Sequence, residues 1–155
     1  MPIFDFLYRT EKTGETLTGD GPIIPVEVSI PTALQQLYLD QKILIPSPRP
    51  GYALIDTGAS TTAVDEDVLQ QPNISPIDQT DCSRAHGTAK ISIYPLKVTF
   101  PALNLKDLPL ARVLGCNLKW QTADGKDVIM LLGRDLLEDK VLIYHGKGCR
   151  VTLAF

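Results

Sequence analysis

Ala53-Leu54-Ile55-Asp56-Thr57-Gly58-Ala59-Ser60 carries one acidic residue out of an apolar run and into a turn of small residues. Ala53 to Ile55 reads as a buried strand, because an apolar run this short does not make a helix. Thr57 and Gly58 are turn and breaker residues. A carboxylate at the end of a buried strand is costly unless something hydrogen-bonds it. Gly58 lets the backbone come close enough to offer N–H groups to Asp56. Taken alone, the stretch is a strand ending in an Asp-containing turn, which is common.

A second stretch lies far along the chain. Leu131-Leu132-Gly133-Arg134-Asp135-Leu136-Leu137 reads as a buried strand, a glycine and the first turn of an amphipathic helix. In this order, in a chain of 155 residues, the two stretches resemble the motifs of the retropepsin-like aspartic proteases. Those have apolar-apolar-Asp-Thr-Gly-Ala and, later, apolar-apolar-Gly-Arg-Asp/Asn-Leu-Leu. The end of the chain, Gly148 to Phe155, resembles the closing strand of viral members. The resemblance spans residues 22–155 and is to a non-viral, single-domain member. It implies an all-β fold, the acid-protease barrel with one lobe per chain, with two or three short helices. Residues 1–21 are then an N-terminal arm and loop. Residues 31–50 are an insertion, because the family joins its second strand to the Asp strand more tightly.

Composition excludes several classes. The chain is 44% hydrophobic and 21% charged, ordinary for a globular domain with a real core. Net charge is -3 and the basic residues are scattered, which argues against a nucleic-acid or anionic-membrane surface. No apolar run is long enough to span a bilayer. Met1 to Phe6 has no basic segment before an apolar core and does not read as a signal peptide. Cys82, Cys116 and Cys149 are widely spaced, and the chain has only His86 and His145 besides, so no metal site or cofactor is expected. Thiols in a reducing compartment, the cytoplasm, are the expectation.

Along the chain, Ile3 to Tyr8 reads as an edge strand or arm, and Glu11 to Gly21 as a loop. Ile24, Val26, Val28 and Ile30 alternate as one face of a strand, with Pro25 marking an edge or a strand start. Pro31-Thr32 opens a short helix carrying Leu34, Leu37 and Tyr38, and Lys42 to Ile45 reads as another short strand. Val64 to Leu69 is a short helix or turn; Asp65, Glu66 and Asp67 read as a solvated face rather than a metal site. Ala85-His86-Gly87-Thr88 is a hairpin tip, with Ile91, Ile93, Leu96, Val98 and Phe100 alternating after it and a slip at Pro95. Leu108 to Leu114 is a strand, and Asp124-Gly125 is a hairpin turn. Val128 to Leu132 is a strand buried on both sides, Arg134 to Asp139 a helix, and the two last strands flank residues 145–148.

Aspartic-protease chemistry needs two carboxylates around one water, sharing a proton. One ionised carboxylate takes a proton from the water, and the other, protonated, donates to the scissile carbonyl. Two carboxylates this close cannot both ionise cheaply, so the pair titrates in two separated steps, as the class is known to do. This chain has one Asp-Thr-Gly and is too short for two lobes. A homodimer with Asp56 from each subunit at a two-fold axis follows from the mechanism and from the resemblance. The resemblance implies that Thr57 bonds across the dimer and that Gly58 and Ala59 support the loop and line the substrate site. It places Leu131, Leu132 and Gly133 under or beside the loop, with Leu132 also assigned to substrate binding, and makes Arg134 its brace. The hairpin at 83–90 is the flap, where Gly87 meets substrate and His86 meets either substrate or solvent. Ser60 departs from the viral pattern, which has an Asp there to pair with the arginine; Asp135, a backbone carbonyl or a carboxylate of the other subunit takes its place. The expected partners are a second copy and a peptide or protein substrate, with neither nucleic acid nor membrane. The competing reading is a non-catalytic peptide-binding or dimerisation module on the same fold. An unrelated β-barrel ligand binder requires both motifs to be coincidence.

Overall fold

The computed structural model of the chain describes residues 2–7, 9–10, 14–15, 17–84, 87–103 and 105–154. The first half runs β1 (Ile3–Leu7), β2 (Arg9–Thr10), β3 (Gly14–Glu15), α1 (Leu17–Asp20), β4 (Ile23–Ser29), α2 (Thr32–Asp40), β5 (Arg49–Ile55), β6 (Ala63–Asp65) and α3 (Glu66–Gln70). The second half runs β7 (Asp78–Arg84), β8 (Gly87–Phe100), β9 (Leu105–Cys116), β10 (Trp120–Gln121), β11 (Asp127–Leu132), α4 (Arg134–Leu137), β12 (Val141–His145) and β13 (Arg150–Ala154). The fold is all-β. Six strands form a closed ring, β11-β5-β4-β8-β9-β6 and back to β11. Closure removes the open edges that an isolated sheet would expose. The pairs β5–β11 and β6–β9 are parallel, and the first of these sets the two diagnostic stretches side by side, Leu54 against Leu131 and Ile55 against Leu132.

The ring closes because its strands carry one apolar face each. Ile24, Val26, Val28 and Ile30 are all at most 1% exposed. Val64, Leu96, Val98, Val113 and Met130 meet them in one core. Each such side chain contributes about 1.5–3 kcal/mol by leaving water. Pro25 sits where β4 has β5 as its only strand neighbour, since β8 pairs with it only from Glu27 to Ser29. A missing N–H does no harm there. The slip at Pro95 is a register shift between Tyr94 and Leu96 against β9, where the proline has no N–H to give the ladder. The β7–β8 hairpin brings Arg84 opposite Gly87; its connecting residues, Ala85 and His86, lie outside the described residues. A separate three-stranded sheet, β1-β13-β12, rests Phe4, Phe6 and Leu142 on the core.

Three local readings are corrected. Residues 42–45 form no strand. Lys42 adopts φ +57°, its N–H bonds the Leu39 carbonyl, and the Ile43 N–H bonds that of Tyr38. This is a left-handed helix cap, so Ile43 closes α2 rather than starting a strand. The acidic triplet 65–67 is not a uniform solvated face. Asp65 is 6% exposed and accepts from the N–H groups of Asp67, Leu118 and Lys119, each at 2.9 Å. It caps α3 and gathers the 117–119 turn at once. Glu66 accepts from the Tyr94 hydroxyl at 3.1 Å; burial first, then this carboxylate, raises the Tyr94 phenol above its ordinary range. Within the stretch read as loop, Leu17 to Asp20 is a single helical turn, because Leu17 is buried in the core.

Candidate active site

Asp56 stands one residue beyond the end of β5, half-buried, with its N–H on the Leu132 carbonyl at 3.0 Å. Its side chain turns back over the loop it starts. Oδ1 accepts the N–H of Gly58 at 2.8 Å and of Ala59 at 3.3 Å. Among the described residues, none donates to Oδ2. The glycine at 58 leaves room for this approach: a Cβ there would lie 3.0 Å from Oδ1, so the carboxylate would have to give by a few tenths of an ångström. One oxygen is therefore fixed by the backbone and the other is left for water or a second group. Thr57 and Gly58 are exposed beside it, and Ala59 is half-buried.

The second stretch clasps the first. The Arg134 N–H bonds the Ala59 carbonyl at 2.9 Å. The guanidinium reaches the Thr57 carbonyl at 2.8 Å and that of Gly58 at 3.4 Å. The partner of Arg134 is thus the loop backbone, and an acidic residue at position 60 is not needed. Asp135 serves a different neighbour. Its carboxylate accepts the Thr62 N–H at 2.9 Å and the Thr62 hydroxyl at 2.7 Å, while that hydroxyl accepts the Gly133 N–H at 3.1 Å. The chain from Gly133 through Thr62 to Asp135 ties the end of the Asp56 loop to the start of α4. It also explains Gly133, whose Cβ would lie 2.5 Å from the Thr61 carbonyl carbon and 2.7 Å from the Thr62 nitrogen. Thr62 escaped the sequence reading because Ser60-Thr61-Thr62 has no periodic or motif signal; its role comes from a carboxylate 73 residues away.

The remaining candidates fall as follows. Leu132 is 4% exposed, and with Leu136, Leu137 and Leu153 it lines an apolar cavity of about 260 Å³ beneath α4. Leu131 is half-buried beside it. Gly87 opens β8 and is exposed, at the hairpin's return. His86 lies outside the described residues. On the surface, Thr57, Arg134, Leu137, Glu138 and Leu142 wall a shallow, mostly apolar hollow that joins the Asp56 loop to β12. Among the described residues, no group of three His, Cys, Asp or Glu is placed to hold a metal. Among the described residues, no helix is long and apolar enough to cross a membrane.

No family model matches the chain, and no curated protein matches it. Solved structures do. Simian foamy virus (mac) protease is 19% identical over 74% of this chain and 91% of its own, with a TM-score of 0.43. EIAV protease, in complex with the inhibitor HBY-793, is 17% identical over 76% of this chain and 86% of its own, with a TM-score of 0.44. A retropepsin-like aspartic protease from Rickettsia conorii is 13% identical over 99% of this chain and 93% of its own, with a TM-score of 0.49. What this chain has in common with these proteases is a retropepsin-like fold.

Proposed function

We propose that the protein is an aspartic endopeptidase that works as a homodimer, with one water held between two Asp56 carboxylates. The observation that carries the reading is the Asp56 carboxylate itself. Oδ1 is fixed by two backbone N–H groups, and Oδ2 takes no bond from the described residues. A single chain supplies one such group, and the chemistry needs two. Two carboxylates facing one water share one proton. The ionised one takes a proton from the water as it attacks the scissile carbonyl carbon. The protonated one donates to the carbonyl oxygen. The tetrahedral species then collapses: its nitrogen takes the proton that the first carboxylate drew from the water and leaves, and a hydroxyl returns a proton to the second carboxylate as the carbonyl re-forms. No covalent enzyme intermediate forms, so no serine or cysteine nucleophile is used.

In this reading, the substrate backbone lies along Gly58 and Ala59, with Gly87 above it on the β7–β8 hairpin. Arg134 holds the loop through its carbonyls, and Leu132 packs under it. Thr57, exposed at the loop tip, bonds across to the partner loop. Activity peaks in mild acid, where the pair holds its single proton.

Asp56→Asn keeps the side-chain shape and removes the base and the shared proton. Parent and variant are assayed on a broad peptide library, with cleavage read by mass spectrometry. Cleavage by the parent and none by the variant is the expected result. Equal cleavage by both assigns the chemistry elsewhere. No cleavage by either, from acidic to neutral pH, leaves the non-catalytic module on the same fold.

A further inference from the structure

The apolar cavity beneath α4 measures about 260 Å³. Phe100, Leu108, Leu132, Leu136 and Leu153 line it, one each from β8, β9, β11, α4 and β13, with further leucines between them. Among the described residues, Lys140 is the one charged side chain in the lining. Asp56, residues 57–59 and Arg134 do not line it, so the cavity is separate from the site proposed above. Protein interiors are close-packed, and walls that face a space of this size forfeit their contacts. Water is a poor occupant, because it needs several polar partners and this lining is almost wholly apolar. An engineered apolar cavity of about 150 Å³ takes benzene, so this one has room for about eight to ten carbon atoms.

Lys140 decides which end of a ligand lies where. Its N–H bonds the Leu137 carbonyl at 3.0 Å, which seats it at the exit of α4. Its side chain is 17% exposed, and its ammonium pairs with Asp139, whose side chain is 74% exposed. The stem therefore lies along apolar surface, and the charge sits where the cavity meets water. An ammonium has three donors and can hold more than one carboxylate oxygen. Asp139, out in water, loses little by sharing or yielding a contact of this kind.

We infer that this cavity binds a straight-chain monocarboxylate of about eight to ten carbons, its tail among the leucines and its carboxylate on the Lys140 ammonium. The tail gains by leaving water. The head gains a charge-assisted hydrogen bond. An uncharged alcohol of the same length has the first gain without the second. The inference does not depend on the chemistry of Asp56.

The test titrates octanoate, and octanol beside it, into the parent protein by calorimetry, with leucine methyl NMR to locate the ligand. The Leu136 and Leu153 methyl signals should shift, and those of Leu69, buried in α3 and outside the lining, should not. Lys140→Met keeps an apolar stem and removes the charge. It should bind octanoate about tenfold more weakly than the parent and octanol equally well. Leu108→Phe fills part of the cavity and should weaken both ligands. Circular dichroism confirms that each variant is folded, and Lys140→Met, changed only at the cavity mouth, decides the matter if Leu108→Phe is not. Equal affinity of the parent and Lys140→Met for octanoate overturns the carboxylate contact and the proposal with it. Octanoate that the parent does not bind at millimolar concentration, that leaves Leu136 and Leu153 unmoved, or that a folded Leu108→Phe binds as well as the parent overturns the site.

Discussion

Replacing Thr62 by valine tests whether one buried hydroxyl holds the Asp56 loop to α4. Thr62 is 1% exposed, and valine has the same shape. The hydroxyl accepts from the buried Gly133 N–H and donates to Asp135. Valine leaves the Gly133 N–H without an acceptor, which costs about 1–3 kcal/mol. It also removes a bond to a charged group, worth about 1.5–3 kcal/mol. The extra buried methyl returns about 0.8 kcal/mol. The net loss is about 3 kcal/mol, a large share of the roughly 5–15 kcal/mol that holds a domain folded. Thr62→Ser keeps both bonds and loses one methyl group, so it should cost only about 1 kcal/mol. The order Thr, Ser, Val runs against apolar burial, which alone would favour valine over serine. Urea unfolding of the three proteins measures it, with unchanged slope as the check that only the native state has been altered. If Thr62→Val is as stable as Thr62→Ser, the hydroxyl is not the bridge, and the loop is held by Arg134 and the β5–β11 pairing alone.

Arg134→Lys leaves one ammonium where a guanidinium spans two carbonyls; peptide cleavage should fall about tenfold with little change in the urea midpoint, and unchanged turnover would remove Arg134 as the brace. Lys42→Gly relieves the left-handed strain at the end of α2 and should raise stability by at most about 1 kcal/mol, whereas a loss would mean that the lysine side chain contributes there. The Gln79 N–H, then Arg112, hold the Asp78 carboxyl below its usual range, so this link from β7 to β9 adds stability above the unfolded carboxyl range and loses it as pH falls through the lowered folded value. Amide exchange across Asp78 to Cys82 should accelerate in strong acid before the Val128–Leu132 strand does, and simultaneous exchange would dissociate the hairpin base from that carboxyl.

The parts of the fold legible in the sequence were those set by neighbours in the chain. Alternation in Ile24 to Ile30 and in Ile91 to Phe100 reports a strand face directly, because side-chain direction has a period of two. The two motif stretches were legible for the same reason: each is a short strand delivering a turn. Their meeting was legible only through resemblance, since the parallel register of Ile55 on Leu132 comes from packing. Where chemistry rather than pattern decides, the reading failed. Ile43 looks like a strand residue and is used in a helix cap, because Lys42 turns left-handed before it. Asp65 looks like one of three surface acids and is buried, because three N–H groups from two segments converge on it. Thr62 gave no sign at all.

The brace on the Asp56 loop has a consequence for the conditions in which it holds. A carboxylate at position 60 would grip Arg134 through charge, and protonation would release it. Here the guanidinium holds the carbonyl oxygens of Thr57 and Gly58. Arginine stays charged throughout the working range of proteins, and a backbone carbonyl does not titrate. That contact therefore keeps its strength in mild acid, the range in which a carboxylate pair holds one proton. The backbone bonds that complete the clasp, Asp56 to Leu132 and Arg134 to Ala59, are equally indifferent to pH and lie within one chain. The chain thus presents a loop already formed, with Asp56 Oδ2 taking no bond from the described residues. In the shared-site reading a second copy has no loop to order, and the entropy that ordering would have cost is not subtracted from the association.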